Sequence, residues 1–207
     1  MINLSNYNNM NNCCCTHGMK YAICILEDLI SLETLIDKYR FFYACGSSDG
    51  SLKNSKYPNF LLLEEEIIQA QPPNKVKSIN LCIDDIDYIK IEPKEDQSGK
   101  IINELNKYYI SPSVLQINCD ENCCCKNSAI SFMKDKYMNL EWANRQFIVG
   151  LKENNYIIPE TQPDPQNPTN FVTVIHMDYD IAWLWDQQRK IFYLVSLCKL
   201  CSLIDIK

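Results

Sequence analysis

Two runs of three consecutive cysteines, each opening a helix-periodic segment, constrain this chain more than any other feature. The first is NNCCCTHGMKYAICILEDLI, from residue 11. The second is ENCCCKNSAISFMKDKYMNL, from residue 121. Cys13, Cys14 and Cys15 precede Thr16, a helix-capping residue type. Ala22, Ile25, Leu26, Leu29, Leu32 and Ile36 then recur at helical spacing. Cys123, Cys124 and Cys125 precede Asn127 and Ser128, again capping types, followed by Ala129, Ile130, Met133, Tyr137 and Leu140 in the same rhythm.

The far ends of the two stretches also match. VKSINLCIDDIDYIKIE (76–92) and YLVSLCKLCSLIDIK (193–207) share a Leu-Cys core preceded by a serine, inside a β-rich run. The pattern predicts a tandem pair. The expected fold is α+β and strand-rich. It has two related units, each with a cysteine triplet, one helix and a small antiparallel sheet. The boundaries fall at 1–12 for an amino-terminal arm, 13–95 for unit 1, 96–122 for a helix and linker, and 123–207 for unit 2.

Within unit 1, RFFYACG (40–46) reads as a strand, and GSSDGSLKNSKYP as a turn-rich loop. NFLLLEEEIIQA is ambiguous, because its apolar run suits a strand and its glutamates suit a helix. KIINELNKYY (100–109) reads as a short helix. In unit 2, QFIVGLKE and NYIIPE look extended and TQPDPQNPTN is a proline-rich loop. The remainder reads as three strands with a turn at DQQRK. Trp183 and Trp185 alternate around Leu184, which puts them on one sheet face.

Adjacent cysteines cannot easily bond to one another, since ordinary disulfides want Cα atoms roughly 4.4–6.8 Å apart with facing side chains. A triplet reaches separate partners instead, which suits a cross-linking node. Cys13, Cys14, Cys15, Cys119, Cys123, Cys124, Cys125, Cys198 and Cys201 are the cross-linking candidates. The competing reading is a thiolate metal-binding (zinc or copper) or redox protein, with Cys13, Cys15 and His17 as alternative ligands. Cys198 and Cys201 form a CxxC pair inside an expected strand, where positions three apart face opposite ways and chelate only across a bulge or turn.

Catalysis finds little support. Of the two histidines, His17 stands at a helix start, and His176 lies mid-strand, where a half-buried structural role is expected. No phosphate-loop or hydrolase motif occurs, so no enzyme and no cofactor are expected. Asp84, Asp85 and Asp87 with Glu64, Glu65 and Glu66 lack calcium-loop spacing and read as solvated strand edges.

The arm SNYNNMNN (5–12) is polar and uncharged, too poor in apolar residues to order itself. Ending in thiols, it would reach a neighbouring subunit. The net charge of −6 comes without a basic patch, which argues against nucleic acid and anionic membrane as partners. No signal peptide is visible at the start, yet twelve cysteines call for an oxidising environment. A protein made in a reducing cell and oxidised after that cell lyses meets both conditions.

In its triplets Cys13–Cys15 and Cys123–Cys125, with Cys24, Cys45, Cys82, Cys119, Cys198 and Cys201, the chain resembles the cysteine-rich coat and exosporium proteins of endospore-forming Firmicutes. It lacks the glycine-rich or collagen-like repeats of several members. The resemblance implies a structural protein of the spore surface, made in the mother-cell cytoplasm. Its expected partners are itself, as homo-oligomer or polymer, and other spore-surface proteins, with disulfide locking after mother-cell lysis.

Overall fold

The computed structural model describes residues 14–53, 55, 60–67, 75–108, 146–151, 157–159, 171–178 and 181–206. The arm at 1–12, most of the linker and the second triplet with its expected helix lie outside the described residues. Helix α1 (Cys14–Ser31) leads into β1 (Ile36–Tyr43), β2 (Gly46–Ser48), β3 (Ser51–Lys53), β4 (Phe60–Ile67) and β5 (Lys75–Cys82). A 3-10 turn (Ile83–Asp85) joins β5 to β6 (Ile86–Pro93), and α2 (Ser98–Leu105) follows. Then come β7 (Gln146–Leu151), β8 (Ile157–Ile158), β9 (Thr173–Asp178), β10 (Ile181–Asp186) and β11 (Ile191–Ser196). A second 3-10 turn (Leu197–Lys199) leads to β12 (Leu200–Ile206).

Helix α1 forms because Met19, Ala22, Ile23, Ile25, Leu26 and Leu29 place apolar side chains on one side, and all six are buried. Each such aliphatic side chain contributes roughly 1.5–3 kcal/mol when fully buried. The helix stops where Glu33 turns left-handed (φ 42) and its N–H donates to the Ile30 carbonyl at 3.0 Å. Thr16 is not the cap expected from the sequence. The helix starts at Cys14, so Thr16 falls inside its first turn. Nothing in the triplet breaks a helix, and the backbone turns helical before reaching the threonine.

The glutamate-rich segment resolves as strand β4. Leu61 and Leu63 point inward, while Glu66 lies exposed at the outer end. Period-two burial wins over the helix propensity of glutamate because β3 and β5 flank it on both sides.

All strand pairings among the described residues are antiparallel. A six-stranded sheet runs β2-β1-β6-β11-β10-β9, and two three-stranded sheets run β3-β4-β5 and β12-β7-β8. The α+β, strand-rich character expected from the sequence is what the structure has. The link between the two halves of the chain is a strand ladder, with Phe192 opposite Ile91 through Val195 opposite Tyr88. Sequence periodicity gave no sign of it.

The central sheet is covered on both faces. On one face Trp183, Phe192, Leu194, Phe41 and Ile89 pack with α1 and with Leu61, Leu63 and Leu81 of the β4–β5 hairpin. On the other, Tyr88, Leu184, Tyr193 and Val195 pack with Val149, Leu151, Ile158 and Leu200. This explains why β10 and β11 are buried at nearly every position instead of alternating. Trp183 and Trp185 do share a face, and that face is the core under α1.

Two expected strands are corrected. Neither 76–92 nor 193–207 is continuous, because a 3-10 turn cuts each in two. Residues 171–206 therefore hold four strands, not three. Residue 87 is also not a solvated edge, since Asp87 is fully buried, with Lys199 at 4.0 Å. The β6–β1 ladder passes from Ile86 to Tyr88, so Asp87 sits in a bulge. At the matching place in β12 the ladder to β7 passes from Leu200 to Ser202. Gly150 lies opposite Ser202, and any side chain there would run into the serine hydroxyl.

Candidate assembly edges and thiols

Among the described residues β2, β3, β5, β8, β9 and β12 end their sheets, and β5 and β12 are the longest of them. An edge strand offers a row of unpaired N–H and C=O groups, and natural proteins usually shorten, charge or cover such edges. Strand β5 is eight residues long and mostly exposed, and β12 is seven residues long. Three of the exposed large apolar side chains, Phe60, Ile67 and Val76, sit on the β4–β5 hairpin, with Val76 at 59% exposure.

That hairpin is fixed from below. Glu65 on β4 accepts hydrogen bonds from the Ser48 hydroxyl at 2.5 Å and from Lys77 on β5 at 2.9 Å. The Ser48 bond, then the Lys77 bond, hold the Glu65 carboxyl below its usual range. The Ser48 hydroxyl also accepts from the Gly50 N–H at 3.1 Å, which ties the hairpin to the turn after β2.

The candidate cysteines are placed as follows. Cys13, Cys119, Cys123, Cys124 and Cys125 lie outside the described residues. Cys14 and Cys15 are in the first turn of α1, followed by His17 on the same helix, and only their backbone is described. Cys198 sits in the second 3-10 turn and Cys201 at the start of β12. The CxxC pair therefore spans a turn, and not the uninterrupted strand expected from the sequence. Among the described residues the free thiols are Cys24, Cys45, Cys82 and Cys201, of which Cys45 and Cys201 are exposed.

Partial burial of its side chain on α1 pushes the Cys24 thiol up, helped by Glu27 and Asp28 on the same helix. The thiolate is the reacting species, so Cys24 should alkylate far more slowly than Cys45 and Cys201 in the folded protein. Mass-mapped iodoacetamide labelling at neutral pH checks this. Equal labelling rates would contradict the buried placement of α1.

Tyr108, in the 3-10 turn after α2, donates its hydroxyl to Asp28 at 2.8 Å and so ties that turn to α1. Burial, then the Asp28 bond, push its phenol up from 10.0 to about 12. A raised folded-state value means that the contribution to stability is complete below pH 10 and is lost as pH rises towards 12. Tyr108→Phe should flatten that alkaline loss, read as the urea midpoint across the same pH range.

No group of three or more His, Cys, Asp or Glu side chains is placed to hold a metal ion among the described residues. His176 is fully buried, deeper than the half-buried position expected. A groove of about 470 Å³ along β1 and β6 is lined by Asp37, Arg40, Asp49, Lys90 and Glu92. Its charges answer one another, with Arg40 and Asp49 at 2.9 Å and Lys90 and Glu92 at 3.7 Å. No described helix is long and apolar enough to cross a membrane.

No known family matches this chain, and neither a curated protein nor a solved structure matches it. Among the described residues its defining features are two cores sharing one sheet, the long sheet-end strands β5 and β12, and exposed thiols. Sequence reasoning missed the edges, and with them Cys82, which lies at the end of β5. A signal was present in the run Lys-Val-Lys-Ser, whose alternating charges are a common mark of an edge strand.

Proposed function

We propose that this chain is a self-assembling structural protein whose subunits join edge to edge and are then locked by disulfides. The observation that carries the reading is the pair of long open edges, β5 and β12, in a chain with exposed thiols. A monomer with such edges tends to associate. Disulfides between subunits then add kinetic stability. The setting that reconciles twelve cysteines with synthesis in a reducing cytoplasm is the outer layer or an appendage of a bacterial spore, oxidised after the mother cell breaks open.

The same proposal includes the tandem architecture. Four pairings recur in order: β1–β2 as β7–β8, β3–β4 as β9–β10, β4–β5 as β10–β11, and β1–β6 as β7–β12. The fifth correspondence is the 3-10 turn before the last strand of each half, entered and left through extended residues both times. This supports two copies of one unit, with the cysteine triplets as nodes towards neighbours.

The test is a gel of aerobically purified protein with and without reductant, with the same sample viewed by negative-stain electron microscopy. Reductant-sensitive ladders together with ordered polymers are expected. A single monomer band in both lanes and no polymers would overturn the reading, and elemental analysis for zinc or copper would follow.

A further inference from the structure

The two halves are joined by one ladder, and it uses only half of the strands capable of forming it. Strand β6 pairs with β11. In the tandem reading, on which this inference rests, the counterpart of β6 is β12 and the counterpart of β11 is β5. Those two are the longest of the strands that end their sheets among the described residues. The chain thus carries, on two sheet edges, the two partners of a joint it already makes once between β6 and β11.

The correspondence fixes a register. The 3-10 turns at Ile83–Asp85 and Leu197–Lys199 differ by 114 positions. The residues entering them, Cys82 and Ser196, have φ, ψ of −64, 129 and −75, 122. The residues leaving them, Ile86 and Leu200, have −75, 120 and −63, 134. The ladder skips at Asp87 and at Cys201 fall at the same shift. Burial tells the same story from the other side. Strand β11, paired on both sides, is buried, and β5, paired among the described residues with β4 alone, is exposed.

We propose that β12 of one chain pairs antiparallel with β5 of the next, in the register that β6 and β11 adopt within the chain. Ser78 then lies opposite Asp205 of the next chain, Ile79 opposite Ile204, Asn80 opposite Leu203, and Leu81 opposite Ser202. Each chain offers one β5 and one β12, so the contact is head-to-tail. It closes into a ring if the rotation closes and otherwise runs on as a filament.

The register, continued by one step, brings Cys82 opposite Cys201 of the neighbouring chain. Both thiols are free, and Cys201 is exposed. Opposite residues on antiparallel strands have Cα atoms about 4.5–5.5 Å apart, within the span a disulfide bridges. Within the chain the equivalent places hold Ser196 and Asp87, which cannot cross-link. The oxidant is a low-molecular-weight disulfide such as oxidised glutathione. One protein thiolate attacks it, forming a mixed disulfide and releasing one glutathione. The second protein thiolate then displaces the other glutathione, so two thiols are oxidised and one disulfide is reduced.

The test uses the full chain, prepared reduced from natural-abundance and ¹⁵N-labelled cultures, mixed, and oxidised with oxidised glutathione. Mass spectrometry of a non-reducing digest should show Cys82 and Cys201 peptides joined across labelled and unlabelled chains. Cys201→Ser, at an exposed position, should remove that link and leave the fold intact. Hydrogen exchange on the reduced protein reads the same pairing without any thiol, and raising the concentration should protect amides at 75–82 and 200–206. Oligomers by light scattering with neither the link nor the protection would overturn the edge pairing and leave self-assembly standing. A monomer at every concentration, reduced or oxidised, would overturn both.

Discussion

Trp183→Ala should lower the unfolding free energy by about 3–5 kcal/mol, the usual cost of deleting a large buried aromatic. Trp183 is fully buried, and it belongs to β10 in the carboxyl-terminal half of the chain. Yet it belongs to one core with the buried residues of α1 and of the β4–β5 hairpin in the amino-terminal half. The loss should therefore reach both halves. Urea unfolding followed by far-ultraviolet circular dichroism and by tryptophan fluorescence should show one transition, moved to lower denaturant, with the two signals coincident. A split in which only the carboxyl-terminal strands melt early would contradict a shared core.

Tyr88→Ala is the reciprocal experiment and should cost a similar amount, about 3–5 kcal/mol. Tyr88 belongs to β6 in the amino-terminal half, but it packs in the other core, with Leu184, Tyr193 and Val195. Its ring stacks on Phe42 at 4.3 Å and 7°, and tilts against Tyr193 at 6.2 Å. Such pairs add about 0.5–1.5 kcal/mol beyond the area they bury. If each half folded alone, Trp183→Ala and Tyr88→Ala would destabilise different transitions. With one sheet as the wall of both cores, they should shift the same one. Combined, their effects should depart from additivity, because Tyr88 pairs with Val195 next to Leu194 and Trp183 pairs with Leu194.

Much of this architecture could be read from residue order. The face of α1 was legible because Ala22, Ile25, Leu26 and Leu29 repeat with the helical period, a purely local signal. The shared face of Trp183 and Trp185 was legible for the same reason in a strand. The strand breaks were not. Leu-Cys-Lys-Leu-Cys and Cys-Ile-Asp-Asp-Ile carry no glycine or proline, and a 3-10 turn of three residues needs neither. That silence also misaligned the two halves. Their Leu-Cys pairs match by eye, equating Cys82 with Cys198, but the turns put Cys82 level with Ser196. The β6–β11 ladder was invisible because strand pairing between distant segments leaves no period in either one. Of the candidate site, the triplets drew attention as an unusual composition. Cys82 and the edge it ends did not, because exposure of an edge is a property of the sheet and not of the strand.

Three residues described here hold the backbone in a form that glycine adopts without penalty: Glu33, Asp96 and Lys190, with φ of 42, 59 and 57. The chain has five glycines, and none occupies these turns. A side chain in that conformation costs roughly 1 kcal/mol or more. At Lys190 the one described ion pair, to Asp96 at 3.9 Å, is largely solvent-exposed and worth little. The protein therefore keeps thermal headroom in its loops that its sequence leaves unclaimed. In the assembly proposed above, durability would then reside in the joints between subunits more than in the tuning of each one.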